Sequence, residues 1–343
     1  MSALPASVPV VPSAVPARMR SVVHERFGVD PESVLATGQR DVPVPGKGEV
    51  LVRVAAASVD RGTWHVMAGL PYPVRLAGFG LRRPRYANPG RSLAGTVVAV
   101  GAGVSDFRLG DPVFGTGASA LAEYAVARAG RLARMPAGLD PVQAAAVPVS
   151  GLTALQAVRD HARIQAGERV LVLGASGGVG VFAVQLAKAA GATVTAVCSG
   201  AKAGAVLALG ADRVLDYAVD EIGEDGRYDV ILDIAGNRPL RMLRRALAPD
   251  GRLVLVGGET DGRLLGGTDR QLRAQLANLV TRQRLGTFLA SENAADLAEL
   301  AKLLEAGTLT APVSHVLPLE RAAEAVRVLL DGRAVGKVVV AVR

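Results

Sequence analysis

The chain has 343 residues, half of them hydrophobic and 20% charged, which supplies enough apolar side chain for two sizeable cores and excludes a largely disordered protein. Its 39 Lys and Arg against 31 Asp and Glu leave a formal charge of +8, but the arginines are scattered, as on solvated faces or near a phosphorylated ligand, and form no basic tail. A single cysteine, Cys198, excludes an intrachain disulfide framework.

Residues 1–17 carry no charge and are broken by Pro5, Pro9, Pro12 and Pro16. A secretory signal needs a cationic start and an unbroken apolar run, so a disordered tail on a soluble cytoplasmic protein is expected. No later stretch reaches the roughly 18 apolar residues of a membrane span.

From residue 21 to about 139, short strands alternate with turns, at 50–56 and 95–100 and after the Gly110-Asp111-Pro112 turn, the texture of a small barrel or sandwich. Between the first two strands, residues 61–89 show at most a weak helical pattern. The texture changes at Asp140-Pro141, a helix-start pair. An Ala-rich helical region follows, and then strands and helices alternate: strand 169–173, helix 179–190, strand 193–198, helix 202–209, strands 213–215 and 230–233, helix 239–247, strand 252–256. Continuously apolar strands between helices mean a parallel sheet covered on both faces, with ligands at the strands' C-terminal ends. Helices are expected at 296–306 and 319–330, and the strand 337–342 is expected to return to the first domain.

The strongest chemical signal is Gly174-Ala175-Ser176-Gly177-Gly178-Val179-Gly180, directly after the apolar strand and directly before the amphipathic helix. Glycines permit the tight turn, the approach of a pyrophosphate to the backbone and close helix–strand packing, while the helix's opening amides receive the anion. After the second strand, where enzymes for the unphosphorylated cofactor offer a carboxylate to the ribose, stands Cys198-Ser199-Gly200-Ala201-Lys202. Ser199 and Lys202 point to a 2′-phosphate, hence NADPH. Cys198 reads as a small buried hydrophobe, not as a nucleophile.

Further blocks lie in order along the chain: Ala56-Ala57-Ser58-Val59-Asp60, Leu93-Ala94-Gly95-Thr96-Val97, Val100-Gly101-Ala102-Gly103-Val104, Ala145-Ala146-Val147-Pro148-Val149-Ser150-Gly151-Leu152-Thr153-Ala154, Leu209-Gly210-Ala211-Asp212 and Gly336-Lys337-Val338-Val339. With them the sequence resembles the medium-chain dehydrogenase/reductase superfamily, in its zinc-free quinone oxidoreductase-like branch. The resemblance implies an α/β chain, with a GroES-like, mostly antiparallel catalytic domain (18–145 and 300–343) and a Rossmann, doubly wound parallel-sheet domain (146–299). It also implies a cleft between them and a homodimer joined through the nucleotide domains. It assigns the 2′-phosphate to Ser199, Lys202 and Tyr217, and the phosphate turn to Ser176, Gly177, Gly178 and Val179. The nicotinamide end falls to Thr153 and the Val256-Gly257-Gly258 turn. The chain departs from the family pattern at Asp60 (commonly Asn), Arg61 (commonly Pro), Thr63 (commonly Asp) and Ser92 (commonly Asp), all on the substrate side.

One cysteine and four histidines without metal-ligand spacing leave hydride transfer without a Lewis acid. That favours reduction of a carbon–carbon double bond conjugated to a carbonyl, or of a quinone, with the enolate protonated afterwards. Asp60, Thr63, Trp64 and His65 are the pocket candidates, His65 as the proton donor because its ordinary pKa is near 6.5. Two other readings remain open: a zinc-free alcohol/carbonyl oxidoreductase, and a non-catalytic nucleic-acid or protein-binding relative. For the last, Arg82, Arg83 and Arg85 form one basic patch and Arg270, Arg273, Arg282 and Arg284 a charged helical face, though no aromatic platform accompanies them.

Overall fold

A computed structural model describes residues 15–223, 227–257, 268–278 and 281–342. β1 (Arg18–Val23) and β2 (Ala36–Asp41), joined through the short helix α1 (Pro31–Val34), form a two-stranded antiparallel ribbon. Of the expected disordered tail, residues 1–14 lie outside the described residues. Residues 15–17 are ordered against the fold, with Val15 packed against the small cluster that includes Met19, Leu51 and Tyr124 and the Ala17 carbonyl accepting the Val42 amide at 3.0 Å.

β3 (Glu49–Val59) is the spine of the first domain. Helix α2 (Arg61–Ala68) follows it directly, then β4 (Ser92–Val100), β5 (Pro112–Thr116), β6 (Tyr124–Arg128) and β7 (Leu132–Arg134). The stretch after β3 is therefore more helical than its composition indicates. Asp60 caps α2 by accepting the Thr63 amide at 2.8 Å while Thr63 Oγ1 accepts the Asp60 amide at 3.1 Å. This is a reciprocal capping box with threonine where Glu or Gln is usual, and Gly69, in the left-handed region, ends the helix.

α3 (Pro141–Ala146), capped by the Asp140 side chain, and α4 (Pro148–Gln156) lead into the second sheet. There the chain runs β8 (Arg169–Leu173), α5 (Gly180–Ala189), β9 (Thr193–Cys198), α6 (Ala203–Ala208), β10 (Arg213–Asp216), β11 (Tyr228–Asp233), α7 (Leu240–Ala246), β12 (Leu247–Leu255), α8 (Thr268–Ala277) and β13 (Arg284–Thr287). All its pairings are parallel, in the order β10-β9-β8-β11-β12-β13. Val170, Leu171, Val172, Ile231 and Leu232 are fully buried at its centre, as expected for strands covered on both faces. Strand order reverses between β8 and β11, and that switch point is where such sheets bind ligands.

The chain then crosses back. α9 (Ala294–Glu305) precedes β14 (Val313–Pro318), α10 (Ala322–Leu330) and β15 (Lys337–Ala341). β15 pairs antiparallel with the second half of β3, whose first half is paired with β6, completing the sheet β14-β15-β3-β4-β5-β7. This is the GroES-like domain beside a Rossmann-type parallel sheet.

The expected charged helical face does not form. Arg270 and Arg273 lie in α8, but Arg270 is buried on Asp233, Arg282 pairs with Asp250 at 2.9 Å outside the helix, and Arg284 opens β13. Burial of Asp233 at the end of β11 draws Arg270 inward, which helical spacing alone does not reveal.

Candidate active site

β8 ends at the switch point and delivers the chain into the glycine turn. Gly174 adopts φ +77°, a conformation that costs glycine nothing. Its amide and that of Ala175 donate to the Val197 carbonyl of β9 at 3.2 and 3.1 Å, and the Gly177 amide folds back to Gly174 O at 3.0 Å. A Cβ on Gly180 would lie 2.2 Å from Gly174 O and one on Gly177 3.2 Å from it, so the start of α5 packs tightly onto the end of the strand. Ser176, Gly177, Gly178 and Val179 form the lip of this cradle, above the helix's opening amides. The arrangement fits a dinucleotide diphosphate, with no side chain in the way and backbone donors facing it.

Where the adenosine end is expected, the structure brings Ser199, Lys202 and Tyr217 around the C-terminal ends of β9 and β10. Tyr217 is 55% exposed, its ring available to a planar ligand. Lys202 Nζ donates to the carbonyls of Gly332 and Ala334 at 2.5 and 2.8 Å, so it ties the nucleotide sheet to the segment before β15, with Arg333 between the two acceptors. Sequence reading finds no carboxylate after β9, but the sheet supplies one from the neighbouring strand. Asp216 stands in register with Cys198, and its Oδ2 would lie 2.5 Å from a Cβ on Gly200. Cys198 is buried, and that burial, with Asp216 adding to it, pushes its thiol pKa up, which leaves it inert.

Where the nicotinamide end is expected, Thr153 Oγ1 donates to Val149 O at 2.7 Å within α4 and keeps acceptor lone pairs. The amides of Val256 and Gly257 both donate to Asp233 O, at 3.0 and 3.1 Å. A Cβ on Gly257 would lie 2.1 Å from Ile234 O, so this turn too requires glycine. Gly258 lies outside the described residues. Asp233 is fully buried, accepts the Gly236 amide at 3.0 Å and holds Arg270, a partner that no sequence motif signals.

On the substrate side, Asp60 and Thr63 are engaged in capping α2. Trp64 Nε1 donates to Val29 O at 3.3 Å, its ring edge-on to His65 and beneath the Arg61 guanidinium. His65 is held by the backbone. Its Nδ1 faces the Leu70 carbonyl at 2.8 Å and must carry the proton there, leaving Nε2 as an acceptor. Burial pushes the imidazole below its ordinary pKa and Arg61 adds to the effect, so the neutral ring prevails.

Lys337, which the sequence marks with no role of its own, and Ser92 complete this region. Lys337, in β15, is 1% exposed, and its Nζ donates to Ser150 Oγ at 3.0 Å, 4.0 Å from Asp60 Oδ2. The signal was a lysine at the head of the fully apolar run Val338-Val339-Val340. Ser92, the other departure from the family pattern, is buried and accepts the Val149 amide at 3.3 Å, joining β4 to α4. The Arg82, Arg83 and Arg85 patch is exposed. Beside it Tyr86, Phe79 and Arg91 line a cavity of about 280 Å³ that contains neither Asp60 nor any residue of the glycine turn.

Among the described residues no group of three or more His, Cys, Asp or Glu side chains is placed to hold a metal, and no helix is long and apolar enough to cross a membrane. The sequence model of the alcohol dehydrogenase GroES-like domain matches residues 46–137, and that of the zinc-binding dehydrogenase matches residues 209–340. The chain is 32% identical to the chloroplast envelope quinone oxidoreductase homolog of Arabidopsis thaliana over 88% of its own length and 92% of that protein's. Among solved structures it is similar to the quinone oxidoreductase from Coxiella burnetii (TM-score 0.80, 27% identity, 95% of this chain and 100% of that one). It is also similar to the CurK enoyl reductase (TM-score 0.81, 25% identity, 95% and 99%).

Proposed function

Because the chain belongs to the medium-chain dehydrogenase/reductase superfamily, in the zinc-independent quinone-oxidoreductase-like branch, we propose that it is an NADPH-dependent reductase of activated alkenes or quinones. The observation that carries this reading is the glycine cradle at the switch point, followed by Ser199 and Lys202 at the end of β9 and backed by no metal-ligand group among the described residues. When bound, the cofactor supplies a hydride. The chain's own residues hold the diphosphate on the amides at the head of α5 and contact a 2′-phosphate through Lys202, Ser199 and Tyr217. They also accept from the carboxamide end through Thr153 and the turn at Val256 and Gly257. An electrophilic β carbon takes the hydride, and the enolate is protonated by solvent or by a pocket donor. Placement, rather than an acid of matched pKa, is then the main contribution of the protein.

The reading includes a small conjugated carbonyl or quinone as substrate, a cytoplasmic protein, and a homodimer joined through the nucleotide domains, where β13 offers a strand edge. Stoichiometric NADPH with a panel of enones and quinones tests it, with NMR of the products. Saturation of the double bond or hydroquinone formation is expected. A ketone reduced to an alcohol with the alkene spared would favour the carbonyl oxidoreductase reading. No oxidation with any acceptor, together with saturable salt-sensitive nucleic-acid binding, would favour a binding role. Asp216 favours a second cofactor reading, in which its carboxylate takes the ribose diol of NADH. Equal or tighter binding of NADH would establish that one.

A further inference from the structure

Val338 stands opposite Val59 in the antiparallel β15–β3 ladder, so one residue outward Lys337 faces Asp60 across the strands. A lysine is almost never fully buried without a partner, and the partners of this one are incomplete. The one hydrogen bond of its ammonium among the described residues goes to Ser150, and the 4.0 Å to Asp60 Oδ2 is too long for another. Among the described residues Asp60 Oδ2 is itself buried without a hydrogen-bond partner, while Oδ1 serves the Thr63 amide. Three ammonium protons thus share one acceptor, and the nearest carboxylate balances the charge only across a gap.

The glycine turn shows what lies next to the ammonium. A Cβ on Gly178 would sit 3.0 Å from Lys337 Cδ and 3.3 Å from Ser150 Oγ, so the lysine stem and the serine fill the space behind the turn. The Gly336 amide donates to Ser176 O at 2.9 Å, pinning the same segment to the same turn. Position 178 is therefore glycine for the sake of the lysine behind it as well as a ligand in front. A charge buried there is poorly screened by salt, and it lies behind the amides that receive the anion.

Resting on the dinucleotide site proposed above, we infer that Lys337 is a positioning residue for the cofactor, a buried ammonium lent by the catalytic domain that attracts the diphosphate from behind Gly178, with Ser150 and Asp60 fixing its place. The diphosphate is then held by charge from both domains at once.

The test is calorimetric titration of wild type and Lys337→Met with NADPH, ADP-ribose, which carries the diphosphate, and adenosine 2′-monophosphate, which lacks it. Lys337→Met is expected to weaken NADPH and ADP-ribose by about tenfold or more, the scale of one charge-assisted contact, and to leave adenosine 2′-monophosphate unchanged. Undiminished ADP-ribose affinity, or equal loss for both fragments, overturns the inference. If Lys337→Met does not fold, Ser150→Ala removes the ammonium's hydrogen bond and leaves β15 intact. A severalfold loss confined to the diphosphate ligands is then expected, and none overturns it. A wild-type protein that binds neither NADPH nor ADP-ribose overturns the cofactor site and this role together. Wild-type binding matched by the variant overturns this role alone.

Discussion

Glu292, in the loop between β13 and α9, grips Arg91 at the edge of β4 from two sides, Arg91 Nε 3.0 Å from Oε1 and Nη2 2.5 Å from Oε2. The same carboxylate takes Arg131 at 3.2 Å and the Thr116 hydroxyl at 3.1 Å. One acid from the nucleotide half thus gathers two arginines of the catalytic half, at partly buried positions. Glu292→Ala leaves both cations facing each other, and a loss of about 1–3 kcal/mol is expected from these charge-assisted bonds. Urea unfolding measures it, and a midpoint shared with wild type would show the clamp to be decorative.

Lys202→Ala should raise the dissociation constant for NADPH about tenfold to a hundredfold and that for NADH by less than about threefold on the same scale. The structure adds a qualification, since Lys202 also holds Gly332 and Ala334. Fluorescence titration with both cofactors separates the two roles. Matching losses would make the lysine a strut for the 332–334 segment and leave the phosphate without its cation.

Two glycine-to-alanine changes should act in opposite directions. At Gly180 the new methyl would meet Gly174 O at 2.2 Å, so the turn must open, and cofactor binding should be lost with a destabilisation of about 2 kcal/mol or more. At Gly204, in α6, nothing lies within 4 Å of the new methyl, and a gain of about 0.5–1 kcal/mol is expected from the unfolded state's lost freedom. Thermal unfolding with and without NADPH reads both. A Gly180→Ala protein that still gains stability from NADPH would remove the cradle from the mechanism.

Acid should loosen the protein through its histidines. Burial lowers the pKa values of His24 and His65 below 6.5, so the unfolded chain binds more protons than the native one just below that value. Stability is therefore full above about pH 6.5 and declines as pH falls toward the native-state pKa values. Denaturation midpoints at pH 7.5 and 5.5 should differ in that direction, and His65→Gln should narrow the difference. An unaltered difference in the variant would mean that His65 titrates normally and is available as a donor after all.

The parallel strands β8 and β9 were legible in the sequence to the residue, because strands covered on both faces show as unbroken apolar runs. The glycine turn was equally plain, its residues being adjacent in the chain. Helix α2 was not, because its reciprocal cap uses Thr63 in place of an acidic residue or glutamine. Asp216 and Lys337 escaped for a different reason. Each reaches the site through strand register, from 18 and from 277 residues away from the residue it faces, and no local pattern records that distance. The Leu70 carbonyl that His65 meets was hidden as well, because a histidine's ordinary pKa says nothing of the partner its ring will find.

β15 is hydrogen-bonded to both β14 and β3 inside the catalytic sheet, and it is translated only after the whole nucleotide-binding unit has left the ribosome. The Rossmann layer, with its strands contiguous in sequence, can assemble during synthesis, whereas the second half of β3, paired with β4 on one edge, must wait for residues 337–341 on the other. Ribosome-stalled chains ending before residue 337 should therefore carry a protease-resistant nucleotide half and a protease-sensitive amino-terminal half. Nascent-chain quality control would find this protein vulnerable at its beginning, for want of its end.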